Sequence, residues 1–217
     1  MAWLEFQAAA GGSILRRQLF TANGTWTKPD KLVGDQVFIT AIGGGSSGNS
    51  DVQELSGTSG AFIVRLSVDV SGTASETVTI GAGGASVTGA VGNAGAVTSF
   101  GSLVSVDGGV APGTLEYLSP LIGQNPGTGA ADSQGQQSIK AITGVFGAPV
   151  SFSLGGNLGG SGLLLDTSGT KAEDQASTTD GVGGIGYGAG GCSDADGTTG
   201  STAGAPGAVL VEWLEKV

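Results

Sequence analysis

Glycine is the residue that most constrains this chain. Forty-four of its 217 residues are glycine, about three times the average usage of roughly 7%. The glycines gather in islands such as Gly43-Gly44-Gly45, Gly155-Gly156 and the run from Gly181 to Gly191. Ordering glycine costs more backbone entropy than ordering any other residue. The islands are therefore either slack linkers or a packed structure in which side chains would be in the way.

The remaining composition favours a folded chain. Hydrophobic residues make up 39% of the sequence and charged residues only 12%. Disordered chains usually show low hydrophobicity and high charge. The apolar residues are also concentrated in strand-like runs near both ends of the chain. We therefore expect packed backbone in the glycine islands.

The charge of the chain excludes nucleic-acid binding. The formal net charge is −10, and no Lys or Arg occurs from Leu66 through Gln137. Nucleic-acid binding needs basic surface that releases counterions from phosphates, and anionic membranes need basic surface as well. The acidic balance instead keeps a glycine-rich surface soluble.

Cysteine count and hydropathy bound the cellular context. Cys192 is the only cysteine, so an intrachain disulfide is impossible, and we expect this residue to fill a small gap. No apolar run approaches the length of a membrane span, which predicts no membrane insertion. The start lacks a basic segment followed by an apolar one, so we expect synthesis in the cytoplasm without a signal peptide.

The front of the chain has a β pattern. Asn23-Gly24 is a turn signal between aromatic and β-branched residues, and the run 37–42 is a short β-branched stretch. Residues 62–70 alternate between apolar and polar, which is typical of a strand with one buried face. The alternation predicts one buried set and one exposed set, namely Phe62, Val64, Leu66, Val68 and Val70 against Ile63, Arg65, Ser67 and Asp69.

The sequence predicts an all-β fold: a small antiparallel β-sandwich-like N-terminal part that the C-terminal strand closes by pairing with the opening strands. In the glycine-rich region, glycine at every second or third position suits polyproline-II-type helices and loops. Such helices have no internal hydrogen bonds, so neighbouring segments must satisfy their amides and carbonyls.

The domain organisation follows from these patterns. Residues 1–19 form a leading or attachment segment, and residues 20–217 form a single glycine-rich β domain. Within it, 20–80 is β-rich, 81–207 is glycine-rich with loops, and 208–214 is the closing strand. Residues 1–17 either attach to a partner chain or fill the core, and the sequence does not choose between these two.

Enzyme chemistry has little support. The chain has no histidine, which removes the usual general base. The G-x-G-x-x-G pattern at 43–48 also occurs at 181–186 and 186–191, so composition alone satisfies it, and no helix follows to hold a pyrophosphate. Asp194-x-Asp196-Gly197 lacks the other ligands of a calcium loop. We therefore predict no enzyme activity, no catalytic residue, no cofactor and no metal site.

Several motifs follow one another in a fixed order along the chain. Phe20 to Pro29 has the pattern F-x-x-x-G-T-W-T-x-P, and Val37 to Gly45 follows and ends in G-G-G. The later motifs are Ser59-Gly60-Ala61, 78–84, Thr98-Ser99-Phe100-Gly101, 186–191 and 204–213. This order resembles the glycine-rich domain of phage tail-fibre proteins, in which such an entry leads to a strand that ends in G-G-G. The resemblance covers residues 20–213.

The resemblance implies a receptor-binding tip protein, or adhesin, similar to the caps of T-even-like long tail fibres. Those proteins pack glycine-rich helices into a sandwich and bind the bacterial surface through intervening loops. The expected partners are a bacterial receptor (an outer-membrane protein, a glycan or a pilus) and other tail-fibre or baseplate proteins. The expected location is the distal tail of the virion, and fibre symmetry predicts a homotrimer. The alternatives are a purely structural tail or baseplate component, and a capsule or lipopolysaccharide depolymerase.

The candidate receptor-binding residues lie in a loop bounded by Pro112-Gly113 and Asn125-Pro126. This loop combines an aromatic residue, aliphatic residues and amides that can form an interface hot spot. Its candidate contact residues are Tyr117, Leu118, Leu121, Gln124 and Asn125. The same apolar residues can instead be core beneath a long loop, and both interpretations stay open. Residues 49–55 and 163–180 are second-choice loops, and Tyr187 is expected to pack inside the glycine-rich region.

Overall fold

The computed structural model describes residues 12–50, 56–111, 186–193 and 200–217. Within these ranges the chain is all-β, as the sequence predicts, and contains two four-stranded antiparallel sheets. The strands are β1 (Ser13–Phe20), β2 (Gly24–Thr27), β3 (Leu32–Ile42), β4 (Phe62–Asp69), β5 (Ser75–Thr79), β6 (Thr98–Phe100), β7 (Val104–Val106) and β8 (Ala208–Lys216). Sheet A has the order β1-β8-β3-β4, and sheet B has the order β2-β5-β6-β7.

The C-terminal strand closes sheet A. β8 lies between β1 and β3 and pairs antiparallel with both. Its register with β1 runs without interruption from Ser13↔Lys216 to Phe20↔Val209. The predicted pairing of the last strand with the opening strands is therefore confirmed. Residues 13–19, which the sequence assigned to the leading segment, form most of β1.

The core lies between the two sheets. Trp26 of β2 contacts Phe100 of β6, with ring centroids 5.6 Å apart. The same indole meets Trp213 of β8 edge-on at 6.3 Å, which joins sheet B to sheet A. Fully buried aromatic and β-branched side chains surround these rings. Aromatic pairs in such offset geometries add to the stabilisation from area burial.

One part of the predicted alternation in β4 is wrong because the strand contains a β-bulge. Ile39 pairs with Leu66 but Ala41 pairs with Ile63, so β4 has one extra residue between these pairs. Arg65 lies at the bulge and has a φ of 51°. Its amide donates to Thr40 Oγ1 at 3.0 Å. On the N-terminal side of the bulge, the buried and exposed faces of β4 are therefore exchanged relative to the prediction. Ile63 is 4% exposed and Val64 is 46% exposed. Beyond it, Val68 and Val70 are buried as predicted.

The outer faces of the two sheets differ in chemistry. In sheet B the residues whose side chains alternate with the buried ones are all hydroxyl-bearing: Thr25, Thr27, Ser75, Thr77, Thr79, Ser99 and Ser105. The outer face of sheet A is apolar where it meets the glycine-rich region. There Tyr187, 4% exposed, packs in a cluster with Ile42 and Ala208. The predicted packing role of Tyr187 is confirmed.

Candidate functional site

The glycine-rich segments are organised around residues 43–50, the central segment. Its amides donate to three different neighbours in turn, and the neighbour repeats every third residue. This period is the one expected of a polyproline-II helix, which has three residues per turn. Gly43 and Ser46 donate to the carbonyls of Ala61 and Thr58. Gly44, Ser47 and Ser50 donate to those of Ala96, Asn93 and Ala90. Gly45 and Gly48 donate to those of Ala205 and Thr202.

The carbonyls of the central segment contact three further neighbours. Gly44, Gly45 and Ser46 accept hydrogen bonds at 2.7–2.9 Å, and their donors are the amides of Gly109, Gly84 and Gly191. The central segment is thus surrounded by six segments: 56–61, 107–111, 92–97, 81–85, 201–207 and 188–193. We call this assembly the glycine lattice.

The outer segments of the lattice are also bonded to one another around the ring. Six backbone hydrogen bonds of 2.8–2.9 Å link them in the order given above. They run from Ala61 to Asp107, Gly95 to Gly109, Ala96 to Ala82, Gly204 to Gly84, Ala205 to Ala189 and Gly57 to Gly191, donor first. The ring therefore closes, and the backbone groups of one segment are satisfied by the next, as buried backbone requires.

This packing explains why the islands are glycine. A Cβ built on Gly45 would overlap the carbonyl oxygen of Ala189, and one built on Gly83 would overlap that of Gly204. Both obstacles are backbone atoms within the hydrogen-bonded lattice, so they cannot move aside as a flexible side chain can. In the described part of the chain, the islands are packed backbone and not slack linkers.

The lattice has a sheet end and a loop end. At the sheet end, segments continue directly into β4, β6 and β8 and leave directly from β3 and β7. At the other end, loop 85–92 connects the segments 81–85 and 92–97. Residues 107–111 run outward from β7 toward this end.

The connection that the structure describes completely is the loop 85–92. Gly89 adopts φ 64°, a left-handed conformation that glycine takes without strain. On one side, the Val87 amide donates to Ser201 Oγ at 3.1 Å, and the Ser201 amide donates to the Val87 carbonyl at 2.8 Å. On the other, Gly89 donates to Ser50 Oγ at 3.1 Å, and Ser50 donates its amide to Ala90 at 3.0 Å.

Side chains of the central segment hold the same loop from beneath. Asn49 Oδ1 accepts from the Gly92 amide at 2.8 Å, and Ser47 Oγ accepts from the Asn93 amide at 2.7 Å. Ser47, Asn49 and Ser50 all have 0% exposure. Asn49 and Ser50 belong to a second-choice receptor loop, yet they lie beneath the surface. Their role is to position the neighbouring loop.

The described surface at the loop end is uncharged. The described residues of the lattice and of loop 85–92 contain no Lys, Arg or Glu, and their one Asp, Asp107, lies at the sheet end. Val91 is 37% exposed and Val110 is 45% exposed, and Ser86 and Thr88 are exposed beside the loop's alanines. This surface offers hydroxyls, backbone amides and small aliphatic groups to a partner.

The candidate residues Tyr117, Leu118, Leu121, Gln124 and Asn125 lie outside the described residues, as does most of loop 49–55. Loop 85–92, which sequence reasoning missed, had one usable signal, because Thr88-Gly89 separates two glycine islands. Cys192 has 0% exposure, and its Sγ lies 3.1 Å from Thr202 Oγ1. Its predicted place in a buried gap is confirmed.

Among the residues that the structure describes, no group of three or more His, Cys, Asp or Glu is placed to hold a metal ion. In the same ranges, no helix has the length and apolar character needed to cross a bilayer.

No protein-family model matches the sequence, and no curated protein matches it.

Proposed function

We propose that this chain is a receptor-binding protein of a phage tail fibre or tail tip. It adheres non-covalently to the surface of the host bacterium through the loops at the loop end of the lattice. The sheets and the lattice form the platform, and the loops form the contact surface. The partner is an outer-membrane protein, a glycan or a pilus.

The observation that carries the proposal is the support of loop 85–92 at one end of a closed lattice. Loop 85–92 is bonded from two sides and from beneath by buried Ser47, Asn49, Ser50 and by Ser201. A loop held in this way loses little conformational entropy on binding. Adhesion sites built on rigid scaffolds use loops in the same way.

The order of the motifs supports the same function. The resemblance to tail-fibre glycine-rich domains covers both the strand entry at 20–45 and the ending at 186–213. Each of these regions has a structural role here, since Gly43, Gly44 and Gly45 start the central segment and 204–207 lead into β8. The resemblance is thus carried by residues on which the platform depends.

Binding to cells tests the proposal. The purified full chain, labelled with a fluorophore, is expected to bind the bacterium that the phage infects and to reduce phage adsorption. A variant in which loop 112–126 is replaced by a Gly/Ser segment is expected to lose binding while keeping the thermal unfolding of the native chain. Unchanged binding of that variant would reject the assignment of Tyr117, Leu118, Leu121, Gln124 and Asn125.

The same preparation separates the alternatives. Absence of both binding and blocking would favour a structural tail or baseplate component. Release of reducing sugars from host capsule or lipopolysaccharide would favour a depolymerase. The proposed homotrimer is checked by sedimentation equilibrium, where a monomer mass would reject it.

A further inference from the structure

We infer that copies of this chain associate through one flank of the glycine lattice, made of the neighbouring segments 81–85, 92–97 and 107–111. We call this surface the open flank. Segment 92–97 lies in its middle and is hydrogen-bonded to both of the others. The inference rests on the homotrimer of the proposed function and names the surface on which that trimer assembles.

The two halves of the lattice ring differ in exposure. Every residue of 56–61 and 188–193 is buried. On the open flank, Val97 is 46% exposed and Val110 is 45% exposed. The other exposed side chains of the flank are those of Ala82, Ala85, Asn93, Ala94 and Ala96. One half of the described ring is thus covered, while the flank is accessible to a partner.

The open flank is apolar. Among its exposed side chains only Asn93 is polar, and its amide donates to the Ala85 carbonyl at 2.9 Å. Its one charged residue, Asp107, is half-buried and lies at the sheet end. Contiguous exposed apolar patches are uncommon on soluble monomers and mark contact surfaces. The flank therefore has the charge-depleted composition of the core of a protein interface.

Charge favours a second copy as the partner. The chain has a formal net charge of −10, so two copies repel each other wherever their acidic residues meet. The open flank, with Asp107 as its one acid, lets identical chains approach with little of this repulsion. The flank also has no basic residue. Complementary charge, which proteins use to select a foreign partner, is therefore lacking on this surface.

The two sides of the open flank differ, as a ring of identical copies requires. Val110 lies on one side of segment 92–97, and the smaller Ala82 and Ala85 lie on the other. Packing the Val110 side of one copy against the alanine side of the next is a heterologous contact, which forms a ring when the rotation between copies closes. A projecting isopropyl group thus meets a surface of methyl groups. Three such contacts complete the proposed trimer.

Hydrogen bonds place the two sides at nearly the same height along the lattice. Gly95 donates to the Gly109 carbonyl at 2.8 Å, and Val110 lies one residue from Gly109 toward the loop end. Asn93, two residues from Gly95 in the same direction, bonds the Ala85 carbonyl. One residue of a polyproline-II segment rises about 3.1 Å. A threefold axis along the lattice therefore keeps Val110 of one copy within about one residue of Ala85 of the next.

Engineered cysteines test this geometry. Within one chain, segment 92–97 separates positions 85 and 110, so a disulfide between them joins two copies. The full chain carrying both Ala85→Cys and Val110→Cys is expected to form covalent dimers and trimers on mild oxidation. Each single variant is expected to form neither, because a heterologous contact joins two different surfaces. Cys192 is buried and is a background common to all three variants.

A charge variant tests the apolar contact independently. The native chain is expected to sediment at three times its chain mass of 20.9 kDa. Ala82→Glu together with Val97→Glu places unpaired charge in the contact and is expected to weaken association by at least about tenfold. The control variant, Thr25→Glu together with Thr77→Glu, adds the same charge to sheet B and is expected to keep the trimer. All four positions are exposed, so both variants are expected to keep native thermal unfolding.

Four outcomes reject the inference. A disulfide in either single-cysteine variant would indicate an isologous dimer, and no disulfide between copies in the double variant would contradict the contact. A monomeric native chain would reject the trimer and its interface together. A glutamate variant that stays trimeric but loses binding to host cells would assign the flank to the receptor.

Binding to host cells reports on the proposed adhesion separately, because Ala82 and Val97 lie outside loop 85–92. The glutamate variant is expected to bind cells as a monomer. A native trimer that does not bind cells would reject the adhesion and leave the copy-to-copy contact in place.

Discussion

The amide of Gly45 donates to the carbonyl of Ala205 at 2.9 Å, which joins the first glycine island of the chain to the last. A Cβ on Gly45 would at the same time overlap the carbonyl oxygen of Ala189. One residue thus contacts the two segments that precede the C-terminal strand. The relationship shows that the lattice assembles from distant parts of the sequence and needs glycine at its contacts.

The first prediction concerns this contact. Gly45→Ala is expected to lower the free energy of unfolding by about 3 kcal/mol or more, because the added methyl group meets only backbone. Gly72→Ala is the matched control, since a Cβ on Gly72 has nothing within 4 Å. Urea unfolding followed by tryptophan fluorescence measures both. Equal stability of the two variants would contradict close packing at Gly45.

A second prediction concerns the support of loop 85–92. Asn49→Ala removes the buried acceptor of the Gly92 amide, and an unsatisfied buried amide costs about 1–3 kcal/mol. Asn93→Ala removes an exposed donor to the Ala85 carbonyl and is expected to change stability much less. Amide exchange should accelerate at Gly92 in the first variant alone. Equal effects of the two substitutions would argue against support from beneath.

The bulge in β4 gives a third prediction. Ile63→Thr is expected to destabilise the chain by about 2 kcal/mol, because it buries a hydroxyl and removes apolar volume. Val64→Thr lies on the exposed side of the bulge and is expected to change stability by less than about 0.5 kcal/mol. Thermal unfolding of the two variants measures the difference. A larger loss of stability for Val64→Thr than for Ile63→Thr would contradict the bulge and indicate regular alternation along β4.

A fourth prediction concerns pH. The Ser71 amide donates to Asp69 Oδ1 at 2.8 Å, and this backbone hydrogen bond, followed by a hydrogen bond from the Ser71 side chain, lowers the pKa of Asp69. A lowered folded-state pKa means that the stabilisation is present above the unfolded-state pKa and lost as pH falls through the folded one. Carbon-detected NMR titration is expected to give Asp69 a pKa below that of an unstructured aspartate. A pKa at or above the ordinary value would contradict the hydrogen bond.

The sheets could be predicted from the sequence, but the lattice partners could not. Side-chain alternation and β-branched runs encode strands locally, so β3 and β8 were predictable. The reversal at Ile63 and Val64 depends on the backbone conformation of Arg65, which no side-chain pattern reveals. Glycine has no side chain with which to encode a neighbour. Only polar positions such as Ser47 and Asn49 mark which segment meets which, and their partners appear only in three dimensions.

The candidate site, too, could be predicted from the sequence only in part. The sequence indicated that loops between glycine segments carry the contacts, and it placed the first choice at Tyr117 to Asn125, outside the described residues. It did not indicate loop 85–92. Short aliphatic and hydroxyl side chains such as Val91 and Thr88 give no interface signal until the lattice places them at the loop end.

Adsorption of phage to host cells tests the central claim most directly. Cells are incubated first with the purified full chain, with a loop-end variant carrying Thr88→Glu and Val91→Glu, or with a sheet B variant carrying Thr25→Glu and Thr77→Glu. The native chain and the sheet variant are expected to block adsorption equally, and the loop-end variant is expected to block it weakly or not at all. Blocking that is lost in the sheet variant and retained in the loop-end variant would contradict the assignment of adhesion to the loop end.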